Sequence, residues 1–167
     1  TAAGLMNLIT CGQANVGVIT GSPLVLCHSE RVAGFTAYAA AHFPQIRVID
    51  KVVNNDDDFD SFSVTRAMLE HHPEIDTLFL AAAGVLGACR ALKEIGRAGK
   101  VRVVCYDVTQ PTCGLLREGV SSEAIAQQPR IQGTKPLDIL FDYLGMGLQP
   151  DREFYYTDIE IKIRENL

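Results

Sequence analysis

Five polar residues of this 167-residue chain fall in or just after turns that close short apolar runs: Ser22, Ser29, Arg31, Asp107 and Gln127. Together they offer hydroxyls, a guanidinium, a carboxylate and an amide, a set suited to holding a polar ligand by hydrogen bonds. Asp107 stands at the polar end of VRVVCYDVT, Val101 to Thr109, ahead of Gln110-Pro111. A run this short and apolar suits a strand covered on both faces of a parallel sheet. Ligands of open α/β sheets sit at the carboxyl ends of the strands, where Asp107 lies. Its carboxylate suits two roles there: receiving a ligand, or closing the turn and capping the helix that begins near Pro111.

Other groupings carry less. Asp56, Asp57, Asp58 and Asp60 lack the position-six glycine and position-twelve glutamate of a calcium loop, and read as a solvated loop with helix-capping carboxylates. His71 and His72 are adjacent, so on a helix they face different ways and do not chelate. Cys27 and His28 lack an orienting acid, and the glycines at 84, 87 and 96 do not form a dinucleotide fingerprint. No enzyme activity, cofactor or metal is expected.

The elements that must position the five residues can be read from periodicity. Strands are expected at Val16–Thr20, Ile46–Val53, Asp76–Ala83, the Asp107 stretch and Ser122–Ala126. Helices are expected at Thr1–Leu8, Glu30–His42 with Ser29 as N-cap, Phe62–His71, Val85–Ile95, Thr112–Glu118 and Arg130–Tyr143. The tail Tyr155–Arg164 alternates polar and apolar residues and reads as one more extended strand. The alternation predicts an α/β fold: an open, mostly parallel five-stranded sheet, order 2-1-3-4-5, with helices on both faces. That order brings Ser22, Ser29, Arg31, Asp107 and Gln127 to one rim although they are far apart in the chain.

Composition sets the class. The chain is 47% hydrophobic and 21% charged with net charge −5, and its basic residues are scattered, so it carries no nucleic-acid footprint and no membrane span. Its five cysteines, an odd count without a CxxC pair, read as reduced, packed thiols and favour a cytoplasmic setting. The chain opens without Met inside an apparent helix, so it reads as a fragment of a longer protein.

The order of VGVITGS, HSERVAGF, DTLFLAAAGVLGACRAL, VVCYDVT, AIAQQPRIQG and EIKIRENL resembles the C-terminal effector-binding lobe of LacI/GalR-type transcription regulators. Type I periplasmic sugar-binding proteins share that fold. The resemblance covers essentially the whole chain. It implies that Arg31 reaches a sugar hydroxyl or ring oxygen, that Asp107 accepts from a pair of ligand hydroxyls, and that Gln127 or Gln128 supplies an amide. It further implies a sugar or related metabolite in a cleft between two lobes, a homodimer, and DNA contacted through an absent N-terminal helix-turn-helix, not through this chain. Residues 1–150 would form the effector-binding lobe and 151–167 a tail crossing toward a missing first lobe. Helices 85–95 and 112–118 are candidates for the dimer surface or for covering the sheet. One departure stands out: where the family often has Asn-Asp after the third strand, this chain has Ala81-Ala82-Ala83-Gly84. Those residues either admit a bulkier or less hydroxylated ligand or allow close helix packing. The transport-class alternative, a periplasmic sugar-binding protein of an ABC transporter, needs a secretory signal upstream.

Overall fold

A computed structural model describes residues 1–167. Helix α1 (Ala2–Ile9) leads to β1 (Ala14–Thr20), α2 (Leu26–His42), β2 (Ile46–Val53), α3 (Asp58–His71) and β3 (Thr77–Leu80). Then follow α4 (Val85–Glu94), β4 (Arg102–Tyr106), α5 (Gln110–Arg117), β5 (Glu123–Ala126), α6 (Pro129–Met146) and β6 (Glu160–Lys162). The sheet order is β2-β1-β3-β4-β5-β6, parallel except for β6, which pairs antiparallel with β5. The first five strands thus take the order expected from the alternation, and part of the extended tail supplies a sixth.

Alternation along the strands builds a core on each face. Leu78 and Leu80 of β3 and Val103 and Cys105 of β4 meet α3, α4 and α5 through Met68, Leu69, Ala88, Leu92 and Leu116. Phe79 and Val104, one residue out of phase, meet α1 and α2 through Met6, Val32, Phe35 and Ala39. The period of two in a fully covered sheet sends successive side chains to opposite layers, so these strands read as unbroken apolar runs. Phe35 stacks on Phe79 at 4.5 Å between ring centroids, tying α2 to the middle of the sheet. None of the residues of α6 is buried, and Leu137, Leu140, Phe141 and Leu144 are exposed on it.

Several boundaries move, each for a local reason. Helix α2 starts at Leu26, not Glu30; Val25 is the capping residue, and Ser29 lies within the first turn with its hydroxyl donating to the Pro23 carbonyl at 2.9 Å. Helix α3 starts at Asp58 because the Asp57 carboxylate accepts the amides of Phe59 and Asp60. Helix α5 starts at Gln110, capped by Thr109 through the Thr112 amide. Strand β3 stops at Leu80, leaving Ala81–Gly84 as the turn. Of the cysteines, all free, Cys89 and Cys105 are buried and their thiols are pushed up to about 12, while Cys11 and Cys27 are exposed rather than packed. Both of the latter sit at element ends, outside the core layers.

Helices α3 and α4 cross closely where Gly87 faces the Asp58 backbone; a Cβ at 87 would overlap the Asp58 carbonyl oxygen. That backbone is held by the cap, so it cannot yield cheaply. Gly87→Ala is expected to lower unfolding stability by about 2 kcal/mol, within the range for overpacked cores. A denaturant midpoint unchanged from the parent would show that the two helices slide apart freely.

Candidate functional site

The carboxyl edge of the sheet gathers loops from distant parts of the chain, and three of the five expected residues join there. Arg31, in α2, donates from Nη1 to the Ala81 carbonyl at 2.9 Å and from Nη2 to Gln127 Oε1 at 3.0 Å. Gln127 donates from Nε2 to Asp107 Oδ1 at 2.8 Å. Arginine only donates and an ionised carboxylate only accepts, so the amide orientation of Gln127 follows from its two partners. The Arg31 guanidinium also lies 4.0 Å above the Tyr106 ring. Its fork therefore bridges the ends of β3 and β5 and stacks on the end of β4.

Asp107 is held in a left-handed conformation, φ 67°, and its amide donates to the Ile125 carbonyl at 3.0 Å. A non-glycine residue there costs energy, less for aspartate than for most, and such strain collects at ligand sites. Since Thr109 caps α5, Asp107 is not needed as a cap, and its Oδ2 makes no hydrogen bond within the chain. Burial raises the Tyr106 hydroxyl above its ordinary range, with Arg31 opposing and Asp107 reinforcing the rise. Tyr106 is thus a neutral phenol at the same edge. Next to it, a concavity of about 220 Å³ is lined by Asp58 and residues 83–86 at the start of α4 and by Tyr106, Asp107, Thr109, Pro111 and Thr112 around the start of α5.

Ser22 and Ser29 share the rim but not this hydrogen-bonded chain. Ser22 Oγ accepts the Leu24 amide at 3.3 Å, and Ser29 binds the Pro23 carbonyl, so both brace the loop between β1 and α2. Gln128, the other amide considered, accepts the Asp158 amide at 3.1 Å and ties the end of β5 to the returning tail.

Two further residues act at this edge: Asn54, which no sequence pattern marks, and Asp56, which by pattern is one carboxylate of a solvated, helix-capping loop. Asp56 accepts the amides of Ser22 at 3.4 Å and Ala83 at 3.2 Å and lies 3.7 Å from His28 Nδ1. Asn54 donates to the Ala83 carbonyl at 2.7 Å. Together they fix the loops after β1 and β3 against each other. Gly21 and Gly84 are indirect signals: a Cβ at 21 would overlap the Asp56 carboxylate, and one at 84 would overlap the Asn54 amide. The acidic loop is occupied by such work, since Asp58 Oδ1 accepts the Gly87 amide and Asp60 accepts from Asn55 Nδ2, both at 2.9 Å. No three metal-ligating side chains converge anywhere in the chain. No helix is long and apolar enough to cross a membrane.

Glu123, at the start of β5, has a buried Oε2 without a hydrogen-bond partner, and burial raises its carboxyl above the usual carboxylate range. The folded group holds its proton more tightly than the unfolded one, so its ionised form opposes folding near neutral pH and this penalty fades as pH falls. Glu123→Gln is expected to raise Tm at pH 7, with the gap narrowing toward pH 5. A variant less stable than the parent at pH 7 would contradict this account.

A second concavity, about 850 Å³, lies between α6 and the segment 150–157, lined by Ile131, Ile139, Leu140, Tyr143 and Tyr155. It is larger but lies on the uncovered face of α6, away from the convergent polar groups of the sheet edge.

A family model described as periplasmic binding protein domain matches residues 2–148. A D-ribose/D-allose-binding protein of Pseudomonas aeruginosa is 31% identical over 105 residues, covering 62% of this chain and 32% of that protein. The crystal structure of a sugar-binding protein of a sugar ABC transporter from Bacillus halodurans superposes with a TM-score of 0.87 at 30% identity, covering 99% of this chain and 60% of that one. A solute-binding protein of an ABC transporter from Burkholderia graminis, in complex with D-arabinose, gives a TM-score of 0.91 at 26% identity, covering 98% of this chain and 57% of that one. The chain therefore spans less than two thirds of each of these relatives.

Proposed function

Since the chain belongs to the periplasmic binding protein domain family, we propose that it is one lobe of a two-lobed sugar-binding protein serving an ABC transporter. The observation that carries this reading is the hydrogen-bonded chain Arg31–Gln127–Asp107 at the carboxyl edge of the sheet. It presents an aspartate with a free oxygen beside a donor fork already held in place, which matches the alternating donors and acceptors of a sugar. Acceptor and donor geometry set in advance lowers the ordering cost of binding. In this reading the sugar lies over Asp107 and Tyr106, and a second lobe closes on it from the other side.

The uncovered face of α6 supports a second lobe. An 18-residue helix without one buried residue is unstable alone in water and needs a partner for its apolar face. The relatives are longer by an amount that can supply that partner. The segment 129–157 then packs with the other lobe, and β6 returns the chain to this one. In this reading the lobe boundary lies at the end of β5 rather than at residue 150. Residence outside the cytoplasmic membrane belongs to the transport reading.

A second reading rests on the five free cysteines, which suit a reducing compartment. It is the cytoplasmic, homodimeric LacI/GalR-type regulator, in which the same cleft controls DNA binding through a segment preceding this chain. The transport reading requires a sugar, whereas the regulator reading takes a sugar or a related metabolite. Calorimetric titration of the full-length protein with a panel of aldoses and ketoses is expected to show one-to-one binding at micromolar or lower Kd, and no heat with any sugar would sink the transport reading. Export to the periplasm in a fractionation experiment then selects the transport reading, and specific operator binding selects the regulator.

A further inference from the structure

The carboxyl edge of the sheet carries large apolar side chains that nothing in the chain covers. Leu24 and Leu26, after β1, are 94% and 70% exposed; Phe59, in the first turn of α3, is 77% exposed, and Leu86, in the first turn of α4, is exposed as well. At the opposite edge, Leu8 is the single large apolar side chain exposed in the last turns of α1 to α5 or in the loops that follow them. The apolar tips are tied to the ligand groups. Leu86 lines the concavity, as does Asp58, next in sequence to Phe59, and the Asp56 carboxylate joins the amide of Ser22 to that of Ala83. Their backbone is held. The Leu24 amide donates to Ser22 Oγ at 3.3 Å, the Pro23 carbonyl receives Ser29, and the Phe59 amide donates to Asp57 Oδ1 at 2.7 Å. Apolar side chains displayed together on a fixed backbone mark a surface that meets a partner.

Resting on the two-lobed sugar-binding reading, we propose that Leu24, Leu26, Phe59 and Leu86 form an apolar rim onto which the second lobe closes, so that sugar affinity depends on Leu24 and Phe59, which lie outside the lining of the concavity. The occupant is the other lobe of the same chain because rim and ligand groups share one edge: a surface that covers a sugar over Asp107 and Tyr106 also covers the rim. The relatives, of which this chain covers 60% and 57%, have the length to supply it. A ligand shifts an open–closed equilibrium only through unequal affinity for the two states, and its apparent affinity falls with the fraction of protein able to close. Apolar area buried only in the closed state raises that fraction. The polar groups within the rim select the ligand, while the rim excludes water from their hydrogen bonds.

The test places serine at the rim of the full-length protein, which removes apolar surface without adding a charge near Asp107. In calorimetric titration with D-ribose, D-allose, D-arabinose and the rest of the aldose and ketose panel, Leu24→Ser and Phe59→Ser are each expected to weaken binding at least ~5-fold, the affinity equivalent of losing part of one side chain's burial. The double variant is expected to weaken it at least ~25-fold, the two effects adding in free energy. Leu24→Met, apolar and of similar volume, is expected to stay within ~2-fold of the parent. Both positions are exposed, so the ligand-free Tm of every variant is expected to match the parent. In small-angle X-ray scattering, sugar at a concentration that saturates the parent is expected to contract the parent more than the double variant. Parent-like affinity in the double variant overturns the rim and leaves the sugar-binding reading standing. Loss of a dimer in the serine variants, read by sedimentation velocity, assigns the rim to a second copy of the chain and overturns it too. Absence of heat with every sugar overturns the sugar-binding reading and the rim with it.

Discussion

Asp107→Asn is expected to weaken sugar binding by the full-length protein about 100-fold while Tm moves by less than about 2 °C. The carboxylate has one oxygen engaged by Gln127 and one free, and hydrogen bonds to a charged acceptor contribute about 1.5–3 kcal/mol each. Asparagine keeps one acceptor, so Gln127 can remain bonded, but it turns an acceptor toward the ligand into a donor. It also tolerates the left-handed backbone at φ 67° almost as well as aspartate. Alanine at this position would mix backbone strain into the result, since its side chain cannot bond locally to offset the left-handed conformation. Asp107→Gly separates the two effects further: it relaxes the backbone, should leave stability within about 1 kcal/mol of the parent, and should remove binding. Calorimetric titration beside thermal melting reads both quantities. An Asn variant that binds as tightly as the parent would move the ligand off this edge.

Arg31→Ala is expected to reduce both binding and stability, by about 100-fold in affinity and about 2–3 kcal/mol in unfolding free energy. The guanidinium satisfies the Ala81 carbonyl, holds Gln127 and stacks on Tyr106. Leaving a partly buried carbonyl unpaired costs about 1–3 kcal/mol, and loss of the stacked cation adds about 0.5–1 kcal/mol. Gln127 then loses one of the two partners that orient it toward Asp107. Arg31→Lys retains the charge without the planar fork, so it can reach the carbonyl or the amide but not both in the same geometry. It should recover part of the stability and little of the affinity. Urea unfolding and titration of the three proteins test this, and a lysine variant equal to the parent in both would reduce Arg31 to a point charge.

The two substitutions differ because the residues reach the edge differently. Asp107 is placed by the chain itself, at the end of an apolar run, and its position follows from local sequence. Arg31 is placed by a bond to a residue 96 positions away and by another 50 positions away. Its role in the sequence reading came from resemblance, and its partners came from the fold. The same division explains Ser22 and Ser29. Their location on the rim follows from the strand order, yet hydroxyls near a proline turn find closer acceptors in their own loop, and local bonds of serine compete well with distant ones.

What the sequence determined by itself is what depends on short-range pattern. Five strands and their covering helices follow from runs of β-branched residues and helical stripes. The order of the first five strands follows from right-handed crossovers, and the carboxyl edge as the ligand face follows from that order. Tertiary structure decided which polar groups remain free there. Thr109 rather than Asp107 caps α5. Asp56, one carboxylate among four in an acidic loop, holds the turns after β1 and β3. The apolar residues of α6, which promise a buried helix by composition, lie uncovered. Periodicity records which side of an element is apolar, but a hydrogen-bond partner or a covering surface comes from another part of the chain. Those assignments exist only once the loops have been brought within 3 Å of each other, the range over which a hydrogen bond selects its acceptor.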